Sequence, residues 1–272
     1  MVYLTDQHFH CRVSRDSEAP LLDMIMASRA AGVRQLCVTD HCDLVDWDTL
    51  EPDPARNTAS ARLAAEWEAC RERIPADVTV RLGIELGEGN FDPADAARLA
   101  ADPLYDFVLG SHHITREQGD YYHLRSRDPA DWERAFDMYL DNLLLIARAD
   151  YFDCMAHIGY LRRYAVQNGV DMSLTLARHG DRLETLLRTL IANGRGIEIN
   201  CSGLRDGCGP FPSEELLRFY RALGGELLTI GSDAHTPTDA AKCLREGHEL
   251  AQSLGFRYIS IYTRRKPEFI RL

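Results

Sequence analysis

Histidine and acidic side chains recur at the ends of short apolar segments along this chain. The motif Asp6-Gln7-His8-Phe9-His10 follows the first apolar run, and Gly231-Ser232-Asp233-Ala234-His235 follows one of the last. Other runs end in polar residues as well: Asp40-His41, Glu85, His112-His113 and His157. Imidazole and carboxylate groups that converge can bind a cluster of divalent metals. The pattern therefore predicts metal-dependent hydrolytic chemistry.

The two longer motifs hold their metal-binding groups two residues apart. Side chains at i and i+2 of an extended segment point the same way, so His8 and His10 can chelate one ion. Asp233 and His235 repeat this spacing after the apolar run 227–230. Either pair alone is better explained as a hydrogen-bonded loop histidine beside a capping aspartate. The metal interpretation is favoured for the set, because several strand ends share the pattern.

The isolated polar residues fit the same hypothesis. Glu85 ends a buried run, where a lone carboxylate is costly unless it is paired or metal-bound, so a bridging position between two ions fits it. Adjacent residues of a strand face opposite ways, so at most one of His112 and His113 is expected to bind metal, and their parity does not say which. His157 ends a further run, and Asp40 is expected to orient a neighbouring ligand.

Short apolar runs alternate with amphipathic stretches over the whole sequence. The strands are predicted at 2–5, 35–39, 79–84, 106–110, 154–158, 196–200, 227–230 and 258–262. The helices are predicted at 21–31, 59–74, 93–101, 130–149, 174–192, 213–223 and 238–254, with Ser213 as an N-cap. Repeated strand-then-helix units imply parallel strands, and in a barrel the carboxyl ends of such strands meet at one face. Residues 1–272 are expected to form a single α/β barrel domain, with polar loops at 43–57 and 114–128.

The composition of the chain argues against several other classes of protein. The formal net charge is −11, which argues against broad binding to nucleic acid or to anionic membranes. The eight cysteines form no CxxC pair and are expected to be reduced. The sequence shows no signal-peptide pattern and no apolar run long enough for a membrane span, so a cytoplasmic location is expected. His179 and His248 are predicted to be surface residues, and His123 a solvated loop residue.

The ordered motifs DQHFH, VTDH, GIELGE, GSHH, AHIGYLRRY, EINCSGLR and GSDAH resemble those of the polymerase and histidinol phosphatase (PHP) superfamily. The resemblance runs from Asp6 to the final strand and is greatest to the monofunctional histidinol-phosphate phosphatases. It implies a distorted (β/α)7 barrel with three divalent ions at the carboxyl ends of the strands. Imidazole and carboxylate ligands without thiolate are compatible with Mn, Fe or Zn. Two positions depart from the family pattern, since His112 and Cys201 stand where a small or aliphatic residue and a threonine are usual.

The resemblance also assigns ligands to each ion. The first would be bound by His8, His10, Glu85 and Asp233, and the second by Glu85, His113 and His157. The third would be bound by Asp16, His41 and His235. Three further residues would bind substrate: Arg163 and Arg205 would clamp phosphate, assisted by Ser202.

The resulting hypothesis is a phosphomonoesterase that converts L-histidinol phosphate to L-histidinol and phosphate in histidine biosynthesis. Three ions would add about +6 of charge against about −3 from the carboxylates, which would attract a phosphate dianion into an acidic protein. A metal-bridging hydroxide would attack phosphorus, with Glu85, Asp233 and His235 as the catalytic ligands. The general acid for the leaving group is not assigned.

Three alternatives remain open. The first is a related phosphoesterase with another substrate, such as a nucleotide, a cyclic phosphate or a phosphotyrosine peptide. The second is a non-catalytic metal-binding module, and the absence of a basic patch argues against it. The third is a metal-dependent amidohydrolase. Arg163 and Arg205 favour a phosphate substrate over an amide. Neither the native metal nor the oligomeric state is predicted.

Overall fold

A computed structural model describes residues 3–117 and 119–272 of the chain. The strands are β1 (Leu4–Asp6), β2 (Val33–Asp43), β3 (Thr79–Gly87), β4 (Phe107–Ser111), β5 (Ile114–Thr115), β6 (Gly119–Asp120), β7 (Cys154–Met155), β8 (Gly196–Asn200), β9 (Leu228–Gly231), β10 (Tyr258–Thr263) and β11 (Lys266–Arg271). The helices are α1 (Leu21–Ala30), α2 (Ala59–Cys70), α3 (Pro93–Ala100), α4 (Pro129–Ile146), α5 (Arg162–Gln167), α6 (Leu176–Ala192), α7 (Ser202–Arg205), α8 (Glu214–Ala222) and α9 (Leu244–Ser253).

Seven parallel strands form a nearly closed barrel, in the order β1-β2-β3-β4-β7-β8-β9. Its first and last strands meet through backbone hydrogen bonds. The Gln7 amide donates to the Ile230 carbonyl at 2.8 Å, and the Asp233 amide donates to the His8 carbonyl at 2.7 Å. The predicted (β/α)7 architecture is confirmed. Val2, the first residue of the predicted first strand, lies outside the described residues.

Local sequence explains where several barrel helices begin. Asp92, Asp128 and Ser213 each precede a helix, and each side chain accepts a hydrogen bond from a backbone amide of the first turn. Pro93 and Pro129 follow the two aspartates, at the position where a helix needs no amide donor. The N-cap predicted at Ser213 is confirmed. These caps fix the ends of the helices that pack around the strands.

Several elements differ from the sequence-based prediction, among them β2, α9 and β11. Strand β2 continues to Asp43 rather than ending at Thr39, because its pairing with β3 runs through Asp43 and Gly87. Helix α9 begins at Leu244, since Cys243 has a positive φ of 60° that a helix cannot continue through. Strand β11 was not predicted. It pairs antiparallel with β10 in a separate two-stranded sheet.

Two histidines predicted at the surface are buried instead. His179 is 8% exposed and His248 is 1% exposed. The helical pattern around each of them predicted that it lies on a helix but did not indicate that its side chain faces the interior. His248 of α9 lies against the first barrel strand, where its ring contacts Thr5.

The cysteine prediction agrees with the structure. All eight cysteines are free; six are buried, and Cys208 and Cys243 are half-buried. Among the described residues, no helix combines the length and apolar character that crossing a membrane requires.

Candidate metal centre

The predicted ligands lie at the carboxyl ends of the barrel strands or in the segments that follow them. Parallel pairing sets His41 of β2 directly opposite Glu85 of β3. His8 and Asp233 are joined by the backbone bond that closes the barrel. His113 lies just after the carboxyl end of β4, and His157 lies just after the carboxyl end of β7. The topology therefore brings residues separated by most of the chain to one face.

A first group of ligands forms around the two histidines that follow β1. The Nε2 atoms of His8 and His10 lie 3.1 Å apart. Oδ1 of Asp233 is 3.7 Å from the first of these nitrogens and 3.4 Å from the second. Oε2 of Glu85 is 3.2 Å and 3.6 Å from the same two atoms. Four side chains thus aim one atom each at a common point.

The second carboxylate oxygen of Glu85 belongs to another group. Oε1 lies 2.7 Å from Nε2 of His157 and 3.1 Å from Nε2 of His113. These two imidazole nitrogens are 3.3 Å apart. One buried carboxylate therefore faces two sets of histidines, as expected of a bridging ligand.

A third group lies nearer to solvent. Oδ2 of Asp16 is 3.1 Å from Nε2 of His235 and 3.7 Å from Nε2 of His41. The His10 ring stacks on the rings of both histidines, with centroids 4.0 Å from His235 and 4.5 Å from His41. The third group thus adjoins the first, and the nine predicted ligands form one continuous cluster.

The donor set fits divalent metals. Imidazole nitrogens that face each other at 3.1 Å and 3.3 Å repel unless a proton or a cation lies between them. Burial, together with the charges of His235 and His41, lowers the pKa of His10 to about 3, so this ring is the neutral form that binds metal. Groups of histidine and acidic atoms with metal-binding spacing recur here, as in His8, His10 and Asp233.

The carboxylates of the cluster are ionised. Burial opposes the charge of Glu85, but the imidazoles of His41, His8 and His113 outweigh it and hold the pKa well below its usual value. Burial also opposes the charge of Asp233, whose pKa is likewise held well below normal, chiefly by His8. The site therefore offers the anionic oxygens of Glu85 and Asp233 beside the imidazole nitrogens of the cluster.

Glu198 is a functional residue that the sequence reasoning missed. Its Oε1 lies 2.7 Å from Nδ1 of His8, and its Oε2 accepts the backbone amide of His157 at 2.9 Å. Glu198 has no exposed surface. A carboxylate in a buried apolar run needs a partner, and Glu198 in Gly196–Asn200 carries this sequence signal just as Glu85 does.

The expected orienting role of Asp40 is indirect. Its Oδ1 accepts a hydrogen bond from the Ser14 hydroxyl at 2.7 Å, and the Ser14 hydroxyl lies 3.0 Å from Nδ1 of His10. The same hydroxyl accepts the His41 amide at 3.0 Å. Asp40 therefore orients two ligands through Ser14, a residue that was not predicted.

Two of the ligands have strained backbone. His157 has φ of 25° and Asp233 has φ of 53°, in the left-handed region that residues other than glycine seldom adopt. Buried Asp6 supports the second of them, since it accepts the amide of Ser232 at 2.9 Å and its hydroxyl at 2.6 Å. Such strain persists only where neighbouring contacts over-determine it, and it clusters at functional sites.

The structure shows which of the adjacent residues His112 and His113 belongs to the cluster, a choice that the alternation of side chains along a strand could not make. His113 joins the cluster through Glu85 and His157, whereas His112 is fully buried outside it. The ring of His112 packs against the rings of Phe91, Tyr121 and Tyr139, each with a centroid distance of 6.0 Å. The geometry thus agrees with the choice of His113 that the family pattern favoured.

The predicted phosphate-binding residues occupy two different environments. Arg163 lines the cavity over the cluster, where its Nε pairs with Asp206 at 2.6 Å and its Nη2 donates to Ser202 Oγ at 2.5 Å. Arg205 instead donates to the carbonyls of Ser232 and Asp233, and it is not among the described residues that line the cavity. In this structure Arg205 therefore supports the Asp233 loop.

The cavity above the cluster has a volume of about 440 Å³ and is walled by the two polar loops. Trp47 and Asp48 come from the first loop, and Asp120, Tyr122 and His123 from the second. His123 was predicted to be a solvated loop residue; it is exposed, as predicted, and also lines this cavity. The loops therefore form substrate-sized walls around the candidate metal centre.

Comparison with known proteins identifies relatives of this chain. A "Probable histidinol-phosphatase" from Thermotoga maritima is 24% identical over 258 residues, covering 95% of each chain. A "Histidinol-phosphatase" from Lactococcus lactis is 23% identical over 270 residues, covering 95% of this chain and 94% of the relative.

The crystal structure of the Lactococcus lactis histidinol phosphate phosphatase, complexed with zinc, L-histidinol and phosphate, has the same fold. It superposes with a TM-score of 0.75 at 22% identity, covering 98% of this chain and 100% of that one. The PHP domain family model matches residues 6–202, a span that contains most of the cluster. The chain therefore belongs to the PHP domain family.

Proposed function

We propose that this protein is a metal-dependent phosphomonoesterase that hydrolyses L-histidinol phosphate to L-histidinol and inorganic phosphate. The observation that carries the proposal is the cluster of six imidazoles and three carboxylates beneath a cavity whose wall presents Arg163: His8, His10, Asp16, His41, Glu85, His113, His157, Asp233 and His235. The names of the similar histidinol-phosphatases support the choice of substrate.

Three divalent ions of Mn, Fe or Zn are the proposed cofactors. Imidazole and carboxylate donors without thiolate suit all three metals. His8, His10, Glu85 and Asp233 would bind one ion. The other two sets would be Glu85 with His113 and His157, and Asp16 with His41 and His235. When bound, such ions activate water as a nucleophile and neutralise phosphoryl charge.

The chain's own residues would bind and orient the ester. Asp206 and Ser202 hold the Arg163 guanidinium on the cavity wall before substrate arrives, so less side-chain freedom is lost on phosphate binding. A guanidinium matches the geometry of phosphate oxygens. Ser202 also contacts Asp233 Oδ2 at 3.2 Å, which links the phosphate-binding wall to the metal centre. Arg205 would act with them through its position beside Asp233.

The test is phosphate release from L-histidinol phosphate and from a panel of other monoesters and diesters, after reconstitution with Mn or Zn. The expected result is a strong preference for L-histidinol phosphate that is lost on metal removal and restored by metal. Preference for another ester would overturn the substrate assignment, but the proposed phosphatase chemistry would stand. No turnover of any ester, with bound metal verified by elemental analysis, would overturn the phosphatase itself.

A further inference from the structure

The backbone beside ligand His157 is held by a hydroxyl group from outside the metal centre. Tyr139 belongs to helix α4, which contains none of the predicted ligands. Its hydroxyl donates a hydrogen bond to the His157 carbonyl at 3.3 Å and accepts the amide of Gly159 at 3.2 Å. One buried side chain therefore bridges the two ends of the loop 157–159, and both hydrogen-bonding capacities of its hydroxyl are directed at that loop.

Both ends of this loop have a positive φ. The value is 25° at His157 and 90° at Gly159. Glycine adopts such a conformation without strain, whereas a histidine seldom does. A strained residue keeps its conformation only where the surrounding contacts over-determine it. Glu198 accepts the amide of His157 on one side, and Tyr139 holds its carbonyl on the other, so these two contacts fix the strained residue.

The backbone conformation of His157 determines where its ring lies. Nε2 of this ring is 2.7 Å from Oε1 of Glu85 and 3.3 Å from Nε2 of His113. The amide of His157 is anchored by Glu198, so relaxation of φ toward an ordinary value would rotate the ring away from these two atoms. The hydroxyl of Tyr139 thus opposes a movement that would open the second ligand group.

The side chain of Tyr139 is itself fixed by packing. It has no exposed surface, and its ring lies beside those of His112, Tyr121 and Tyr160, with centroid distances of 6.0 Å, 5.9 Å and 5.8 Å. His112, which departs from the family pattern, therefore forms part of the wall that holds this tyrosine. A ring that is enclosed on several sides presents its hydroxyl in one place.

The inference rests on metal binding at the proposed centre but not on which ester is hydrolysed. We propose that Tyr139 is a positioning residue for the ion bound by Glu85, His113 and His157, because its hydroxyl holds His157 in the strained conformation that this ion requires. Without the hydroxyl, part of the free energy of metal binding must restore the backbone, and the ion binds more weakly. Tyr139 is not among the described residues that line the cavity, so it would act through the ion and not through the substrate.

The experiment compares two tyrosine-to-phenylalanine variants that each remove one buried hydroxyl. Tyr139→Phe keeps the ring and loses the bridge across the loop. Tyr121→Phe is the matched control, because Tyr121 packs against Tyr139, is 1% exposed, and has a hydroxyl without a hydrogen-bond partner among the described residues. Metal-free wild type and both variants are equilibrated with Zn²⁺ at free concentrations set by a chelator, and the bound ions per chain are counted by elemental analysis. Phosphate release from L-histidinol phosphate is assayed over the same range.

In Tyr139→Phe, one of the bound ions should require about tenfold more free Zn²⁺, the effect typical of losing a group that orients a ligand. The Zn²⁺ concentration that gives half-maximal activity should rise by the same factor, while kcat and KM at saturating Zn²⁺ remain at wild-type values. A tyrosine with a merely structural role would change the free energy of unfolding without changing these Zn²⁺ concentrations.

Unchanged Zn²⁺ affinity in Tyr139→Phe, or an equal loss in Tyr121→Phe, would overturn the role of Tyr139. A fall in kcat that excess Zn²⁺ does not restore would overturn it as well. If the wild type binds Zn²⁺ but does not hydrolyse L-histidinol phosphate, the proposed function has failed, and the ion counts still decide the role of Tyr139. A wild type that binds no Zn²⁺ would overturn the metal centre and this role together.

Discussion

The carboxylate of Glu198 lies 2.7 Å from Nδ1 of His8, and neither side chain is exposed to solvent. The other oxygen of Glu198 accepts the amide of His157, whose Nε2 faces Glu85 in the second ligand group. One buried side chain therefore orients ligands of two groups. With Nδ1 engaged by Glu198, Nε2 of His8 is left as the nitrogen that faces the cluster.

Replacing Glu198 with glutamine should weaken metal binding while preserving side-chain volume. The variant removes the charge that raises the basicity of His8, and loss of such an orienting partner costs about tenfold to a hundredfold in metal affinity. Equilibrium dialysis against a series of chelator concentrations, followed by elemental analysis, measures this change. Glu226→Gln, at a side chain that is 76% exposed, is the control. Unchanged affinity in Glu198→Gln would show that the contact does not orient His8.

Glu85→Gln should have a larger effect, because Glu85 faces two ligand groups. The variant loses an anionic oxygen from each group, so we expect fewer metal ions per chain and phosphate release lowered about a hundredfold or more. Metal content and turnover are measured on the same sample. Glu68→Gln, at a side chain that is 62% exposed, controls for the change in charge. Wild-type turnover by Glu85→Gln with a full metal load would contradict the bridging role.

Arg163→Lys tests the phosphate-binding wall. Lysine keeps the charge but not the planar fork, so the KM of the ester and the inhibition constant of inorganic phosphate should both rise about tenfold. The neighbouring Arg162→Lys is the control, because Arg162 pairs with Asp171 and is not among the described cavity-lining residues. Steady-state kinetics with phosphate as the inhibitor measure both constants. Equal changes in the two variants would exclude a specific role for Arg163.

Much of the fold and of the cluster could be predicted because short-range sequence patterns indicate them. Apolar runs that end in histidine or acid mark the strand ends, and parallel topology then brings those ends together. That topology brings His41 and Glu85 to the same end of the barrel, where β2 and β3 pair them directly. Metal ligands also follow simple chemistry, since few other roles explain repeated histidines at buried strand ends.

The remainder depends on contacts that local patterns do not record. Strand β2 extends to Asp43 because β3 lies beside it, and the apolar run alone ends earlier. The partners of Glu198 are distant in sequence, since His8 is 190 positions away. Arg205 was assigned by its motif, whereas its hydrogen bonds to the Ser232 and Asp233 carbonyls depend on how the loop after β9 folds.

Buried His248 should make the protein less stable in mild acid. Thr5 donates its amide to Nε2 of His248 at 3.3 Å, and Nδ1 lies 2.7 Å from the Leu244 carbonyl oxygen, so the ring is neutral with its proton on Nδ1. Burial lowers the pKa of this histidine, although the Leu244 carbonyl opposes the shift. Below about pH 6.5 the unfolded chain therefore binds a proton that the folded protein excludes. The free energy of unfolding consequently decreases as the pH is lowered.

Urea unfolding at pH 7 and at pH 5 measures this contribution against His248→Gln. Glutamine does not titrate, so the variant should be less stable at pH 7 yet lose less free energy of unfolding between the two pH values. The difference in that loss should reach up to about 2 kcal/mol. Both proteins share the same metal centre, so any release of metal in acid lowers both alike and cancels in the comparison. Equal losses in the two proteins would contradict a neutral, buried His248.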